Sequence, residues 1–194
     1  MIIQGSHPST AVTAFLSEAH PSAKLEMSIY EHIPQSILDK RYSFSRDIDH
    51  VNEEFLKGIK TSLAPNEELA AHSRLIINKK VFHIPMIDFC CTRETLSAFR
   101  STTLSILPKK ICNELLIYDS GNSLHGYALT LIPSNKWIDY LGRLLLLNLP
   151  DRPPLVDSRW VGHRLRAGYA SLRWSNNTSA HRSPPKLIAT LDTI

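Results

Sequence analysis

The chain has 194 residues, 43% of them apolar, and carries a formal charge of +4 with a sequence pI of about 9.0. That length suits one domain with a small appendage, and the apolar fraction suffices for a core. No apolar run approaches a membrane span, Leu144–Leu147 being a typical one, and Met1–Ser6 lacks the basic and apolar regions of a secretory signal.

Residues 1–70 read as an N-terminal helical elaboration. Ala11–Ala19 predicts a short helix ended by Pro21, and Ile37–Arg41 a second. In Asp49–Leu63, Val51, Phe55, Leu56 and Ile59 recur at helical spacing behind Asp49 as a cap. Asp47-Ile48-Asp49 resembles a metal pair on paper, but acids at a helix start are better explained by the helix dipole.

Strands are expected from Arg74 onward. Leu75–Ile77 and Val81–Phe89 read as a strand pair. Thr92 caps a helix running to Leu107, with Leu96 and Phe99 inward. Glu114–Tyr118 and Leu124–Ile132 form a second hairpin across a glycine-containing loop. Ser134 opens a helix whose apolar stripe is Trp137, Ile138, Leu141, Leu144 and Leu145. After Pro150–Pro154 come a short strand at Leu155–Asp157, a helix at Ser158–Ala167, a strand at Tyr169–Trp174 and one more at Leu187–Leu191. Hairpins alternating with helices predict an α+β fold, a sheet layered against helices in the manner of an RNA-recognition palm. The palm is assigned to residues 71–194.

Charge is unevenly placed. From Arg152 to Lys186 seven basic residues meet one acid, Asp157, for a local charge of +6, and the rest of the chain carries −2. This segment is either a solvated helix face or a phosphate-binding side. Arg164, Arg166 and Trp174 are its nucleic-acid candidates, the tryptophan as a stacking platform. The cysteines, Cys90, Cys91 and Cys112, are odd in number without metal spacing, and read as reduced core thiols of a cytoplasmic protein.

The chemistry concentrates in two acids and one histidine. Asp88 sits deep in an apolar strand, sharing a face with Met86 and Cys90. An unpaired buried carboxylate is costly, so it needs donors or a cation. Asp157 ends another apolar run. Ser120-Gly121-Asn122-Ser123 offers hydroxyls and amides to a phosphate, and His125 follows on the outgoing strand. Two carboxylates plus a substrate phosphate suit Mg²⁺ or Mn²⁺.

In this order the pieces resemble the archaeo-eukaryotic primase, or primase-polymerase, superfamily. Ile84–Cys90 is similar to its first motif, an apolar strand bearing Asp-x-Asp. Ser120-Gly121-Asn122-Ser123-Leu124-His125 fits its Ser-Gly-x-x-x-His motif. Val156-Asp157 matches its third, and Arg173 followed by Ser179-Ala180-His181 is similar to its downstream Arg and Ser-x-His, with Ser175 competing for the serine role. The resemblance covers residues 74–190. It implies a metal-ligand role for Asp88 and Asp157, catalysis by these with His125, and nucleotide binding by Ser120, Gly121, Ser123, His125 and Arg173. It departs in its single motif-one acid: Met86 or Cys90 stands where the other Asp belongs. The implied function is metal-dependent nucleotidyl transfer in primer synthesis or extension, acting on DNA or RNA with nucleoside triphosphates. A catalytically inactive nucleic-acid- or nucleotide-binding module serving a helicase or nuclease partner, with no membrane role, is the alternative, and a metal-dependent phosphoesterase is the third.

Overall fold

The computed structural model describes residues 4–31, 33, 36–38, 40–181 and 183–194. Helix α1 (Pro8–Ala19) precedes strands β1 (Lys24–Glu31) and β2 (Arg41–Asp47). Helix α2 (Glu53–Ser62) leads into the long strand β3 (Glu67–Ile77), then β4 (Lys80–His83) and β5 (Met86–Phe89). Three short helices follow, α3 (Arg93–Ala98), α4 (Arg100–Ile106) and α5 (Lys109–Asn113). Strands β6 (Leu115–Asp119), β7 (Leu124–Ala128) and β8 (Ile132–Pro133) come next. Helices α6 (Trp137–Leu146) and α7 (Ser158–Ala167) and strands β9 (Ser171–Arg173) and β10 (Lys186–Thr190) complete the order.

The strands form two antiparallel sheets, so the fold is mixed α+β. The larger runs β2-β1-β3-β4-β8, with β9 also paired to β3, and the smaller runs β10-β6-β7-β5. Strands β4 and β5 are neighbours in sequence but belong to different sheets. Ile84 and Pro85 make the corner between them: Ile84 N–H still donates to Ser73, 2.8 Å, and Pro85 has no N–H with which to continue the ladder. The Pro85 carbonyl instead accepts from Ala128 at 3.0 Å, which starts the small sheet.

β3 changes partner along one edge. Arg74–Ile77 pairs with β4, while Ala70–His72 pairs with β9. Ser73 marks the change: its N–H donates to Ala170 O, its Oγ accepts from Ala170 N–H, and its Oγ lies 3.1 Å from His83 Nδ1. On the inner side, Leu25 and Met27 of β1 and Leu69, Ala71 and Leu75 of β3 join Val12, Leu16 and Leu56 in the core. The alternate positions of these strands are polar, as strand periodicity requires: Glu26, Ser28 and Tyr30 on β1, and Glu68, His72 and Arg74 on β3.

Several expectations change. Residues 24–47 contribute two strands to the large sheet, so the first 70 residues are not a helical elaboration. Arg41, expected to close a helix, opens β2; Asp39 in that stretch lies outside the described residues. Helix α2 starts later than expected, capped by Asn52, whose Oδ1 accepts from Phe55 N–H at 2.9 Å. The Thr92-capped helix breaks at Phe99 into α3 and α4. On α6, Trp137, Tyr140, Leu141 and Leu144 are buried, whereas Ile138 is 62% exposed and off the core stripe. Cys112 is a core thiol, but Cys90 is exposed.

Candidate functional site

Asp88 and His125 face each other across the β5–β7 ladder, one being the register partner of the other. His125 Nε2 lies 3.8 Å from Asp88 Oδ1. Beyond β5 the chain at Asp157 runs alongside: Phe89 bridges Val156, and Asp157 N–H donates to Asp88 O at 3.0 Å. The backbones that carry the two carboxylates are therefore hydrogen-bonded to each other. Asp157 also caps α7, its Oδ1 accepting from Arg159 N–H (2.8 Å) and Trp160 N–H (3.1 Å). All three side chains line one cleft of about 410 Å³.

The β6–β7 hairpin loop forms a second wall. Gly121 takes φ +97°, a conformation that suits glycine, and its N–H donates to Asp119 Oδ1 at 2.8 Å. The hydroxyls expected to face a phosphate are partly engaged inside the loop. Ser120 Oγ donates to Ser123 O at 2.9 Å and lies 3.2 Å from Ser123 Oγ. Arg173 braces this loop from β9. Its Nη2 donates to Ser120 O (2.5 Å) and Ser183 O (3.2 Å), and its Nη1 to Ser175 O. It is buried, and it lines the cleft while tying three segments together.

Ser175 is not among the residues lining the cleft and serves Glu68 instead. It donates to Glu68 Oε2 and accepts from Leu69 N–H, while Thr178 N–H and Oγ1 also donate to the Glu68 carboxylate. His181, by contrast, lines the cleft, and Asn122 Nδ2 donates to neighbouring Ala180 O at 2.9 Å. Of the two downstream serines, the Ser179-Ala180-His181 segment is the one that adjoins the site.

The basic segment divides. Arg166 is exposed, Arg164 is buried at 2% exposure in the cleft wall, and Arg182 lies outside the described residues. Trp174 is fully buried, its Nε1 donating to Tyr127 Oη at 3.2 Å, and this corrects the stacking role expected for it. A ring with both faces packed cannot take a base. The solvated-face alternative for the basic segment is likewise corrected at Arg164, which is buried.

Some lining residues had no place in the sequence reading. Arg41 crosses the polar face of the large sheet, donating to Ser28 Oγ (3.2 Å) and Ser171 Oγ (2.8 Å), with its guanidinium 4.3 Å from the Tyr30 ring centre. Trp160 is half-buried in the cleft wall and donates to Ser171 O. The alternation of β1 and β2 was the available signal.

Electrostatics set Asp88 apart. Burial, reinforced by the Asp157 charge, pushes its carboxyl up to about 7, with Arg164 and Arg173 pulling the other way. Burial pushes His125 down to about 3, aided by Arg173, so the ring is neutral at physiological pH. His125 Nδ1 is buried without a hydrogen-bond partner among the described residues.

A family model described as archaeo-eukaryotic primase 1D-like matches residues 47–186, a span that holds Asp88, the hairpin loop, His125, Asp157 and Arg173. The chain belongs to the archaeo-eukaryotic primase 1D-like family. Membership gives it a primase-related function on nucleic acid. Neither the curated proteins nor the solved structures contain a match to it. In this primase-like chain β1 precedes the matched span, although Tyr30 reaches the cleft.

The divalent ion implied by the family can be tested against this primase-like cleft. No group of three or more His, Cys, Asp or Glu arranged for a metal occurs among the described residues. Asp88 and Asp157 nevertheless offer hard oxygen donors on adjacent backbones, and burial together with the Asp157 charge raises Asp88, a burden that a cation would relieve. By its chemistry the pair would suit one ion completed by water or phosphate. Among the described residues it offers no ligands for a second ion. No described helix is long and apolar enough to cross a membrane.

Proposed function

We propose that the chain is a metal-dependent, primase-like nucleotidyltransferase whose cleft takes the phosphates of a nucleotide between the Ser120–Ser123 loop and α7. Asp88 and Asp157 would hold one Mg²⁺ or Mn²⁺. When bound, that ion supplies positive charge to phosphoryl oxygens. Neutral His125 offers a ring N–H to a phosphate oxygen, and Gly121 keeps the loop tight enough to present its backbone. Arg173 fixes the loop, and Arg166, exposed on α7, contacts the nucleic-acid backbone. A helicase or nuclease partner would supply strand opening or processing.

The observation that carries this reading is the pairing of the Asp88 and Asp157 backbones beside His125. Primer extension with Mg²⁺ or Mn²⁺ tests it. Incorporation by the native chain is expected, with a loss of about a hundredfold or more in Asp88→Asn and Asp157→Asn. Asparagine retains a capping oxygen at 157, so the second variant keeps α7. Nucleotide binding without incorporation would make the chain a binding module. Absence of both would overturn the reading.

A further inference from the structure

A second cavity, of about 670 Å³, lies between helices α1 and α2 and shares no lining residue with the cleft of Asp88 and Asp157. Its volume is in the range of small-molecule sites. The wall formed by His7 and the first turns of α1 precedes the span that the family model matches, and the α2 wall falls within it.

This cavity is rich in donors that the fold does not use. Lys57 and Lys60 stand a turn apart on α2, and neither makes a hydrogen bond or ion pair with the described residues. Asn52 gives its Oδ1 to the α2 cap, which leaves its Nδ2 to donate elsewhere. The Thr10 hydroxyl has no partner among the described residues. Against these donors the lining holds one acid, Glu53, at the start of α2. His7 adds no charge, because burial holds its ring well below the usual histidine value, at about 4. Its nitrogens are also engaged: Nε2 donates to Trp174 O at 2.8 Å and Nδ1 accepts from Ser9 N–H at 3.2 Å.

Lys60 is half-buried, and burial pulls its ammonium below the ordinary lysine value, with Glu53 and Glu68 only partly opposing the shift. A desolvated charge without a hydrogen-bonded counter-ion weakens a fold. An anion in the cavity would reverse that effect. Two ammonium groups repel a metal ion. A phosphate monoester, with three strong acceptor oxygens and close to two negative charges, answers two lysines and two neutral donors better than a carboxylate does.

We propose that the α1–α2 cavity is a second, phosphate-binding site, in which Lys57 and Lys60 hold a phosphate group that Thr10 and Asn52 help to orient. The proposal is independent of metal binding or catalysis at Asp88 and Asp157.

The test titrates inorganic phosphate, pyrophosphate and ADP into the native chain in EDTA while backbone amide shifts are followed by NMR. Oligonucleotides with a 5′-phosphate and a 5′-hydroxyl form two further arms. Saturable shifts should cluster at residues 7–13 and 52–61. The double variant Lys57→Gln, Lys60→Gln should lose about tenfold or more in affinity. Lys60→Met should weaken binding while its melting temperature stays level or rises, because a desolvated charge is removed. Tighter binding of ADP than of either oligonucleotide assigns the phosphate to a free nucleotide, and a preference for the 5′-phosphorylated strand assigns it to a nucleic-acid end; either supports the site. Shifts confined to the Ser120–His125 loop, or no saturable shift, would overturn the proposal, as would unchanged affinity in the double variant. If the double variant fails to fold, Lys60→Met decides: a lower melting temperature with unchanged phosphate affinity means that the lysine serves the fold, and it overturns the proposal as well.

Discussion

Met86 and Cys90 flank Asp88 on one strand face, and both are equal candidates for the missing acid until their surroundings are compared. Met86 is fully buried, and the Tyr140 hydroxyl donates to its carbonyl. Cys90 is exposed as a residue, its Sγ lying 3.4 Å from Pro154 O, and partial desolvation, followed by the Asp157 and Asp88 charges, raises its thiol. An added carboxylate therefore belongs at 90. Cys90→Asp should fold and bind Mn²⁺ roughly fivefold more tightly, the worth of about 1 kcal/mol of added attraction at a partly solvated site. Met86→Asp should instead lose about 3 kcal/mol or more of stability by burying a charge in the core. Mn²⁺ titration and urea unfolding of both variants check this. A stable Met86→Asp that binds Mn²⁺ better than Cys90→Asp would reverse the assignment.

At the scale of elements, β7 is the strand that holds the carboxylate and the histidine in register. Gly126 follows His125 and faces the opposite side. A Cβ there would come within 3.0 Å of the Phe89 ring, 3.2 Å of Leu115 Cδ1 and 3.3 Å of Ile87 Cβ. Phe89 and Ile87 flank Asp88, so a shift of either is passed to the acid. Gly126→Ala should cost about 1–3 kcal/mol and weaken metal binding as well, measured by melting and Mn²⁺ titration. Unchanged stability would mean that the sheet yields freely.

The hairpin of β6 and β7, helix α7 and the acid-bearing strand were legible because their apolar periods are clean and their turn residues distinct. The strands β1 and β2 were not. Leu25, Met27 and Ile29 alternate with Glu26, Ser28 and Tyr30, but helix-like neighbours on either side mask so short a run. The start of β3 was missed for a different reason. Glu67–Ser73 contains Glu, Leu and Ala, which favour helix, and only pairing with β1 and β9 makes it a strand. Arg41 and Tyr30 reach the cleft only through the pairing of these strands. Arg164 was legible as a basic residue, but its burial depends on how α7 packs.

Across the whole molecule, buried histidines set the response to acid. Burial pushes His7 and His83 down to about 4 and His125 to about 3, and His72 shifts in the same direction. Each is neutral when folded and takes a proton when unfolded between its folded value and about 6.5. Their contributions to stability are present above pH 6.5 and are lost as pH falls through that window. Asp88 runs the other way: its folded value of about 7 exceeds the unfolded one of about 4, so its burden is relieved on acidification. The histidines outnumber it. Unfolding near pH 5 should take up roughly two protons or more, and the melting temperature should fall from pH 6.5 to 4.5. A melting temperature that rises over this range would contradict the placement of these rings.

The shared edge of β3 governs the order in which this chain can assemble. Its Arg74–Ile77 half is covered by β4 after a short turn, but its Ala70–His72 half waits for Ser171–Arg173, about a hundred residues later. During synthesis, that half-edge leaves the ribosome with unpaired amides and carbonyls long before its partner exists. Contacts of such long range slow folding, and an open strand edge invites pairing with other chains. Nascent chains stopped short of residue 171 should therefore be the aggregation-prone species, and the hydroxyl of Ser73, ready to receive Ala170, marks the place where the late strand closes the sheet.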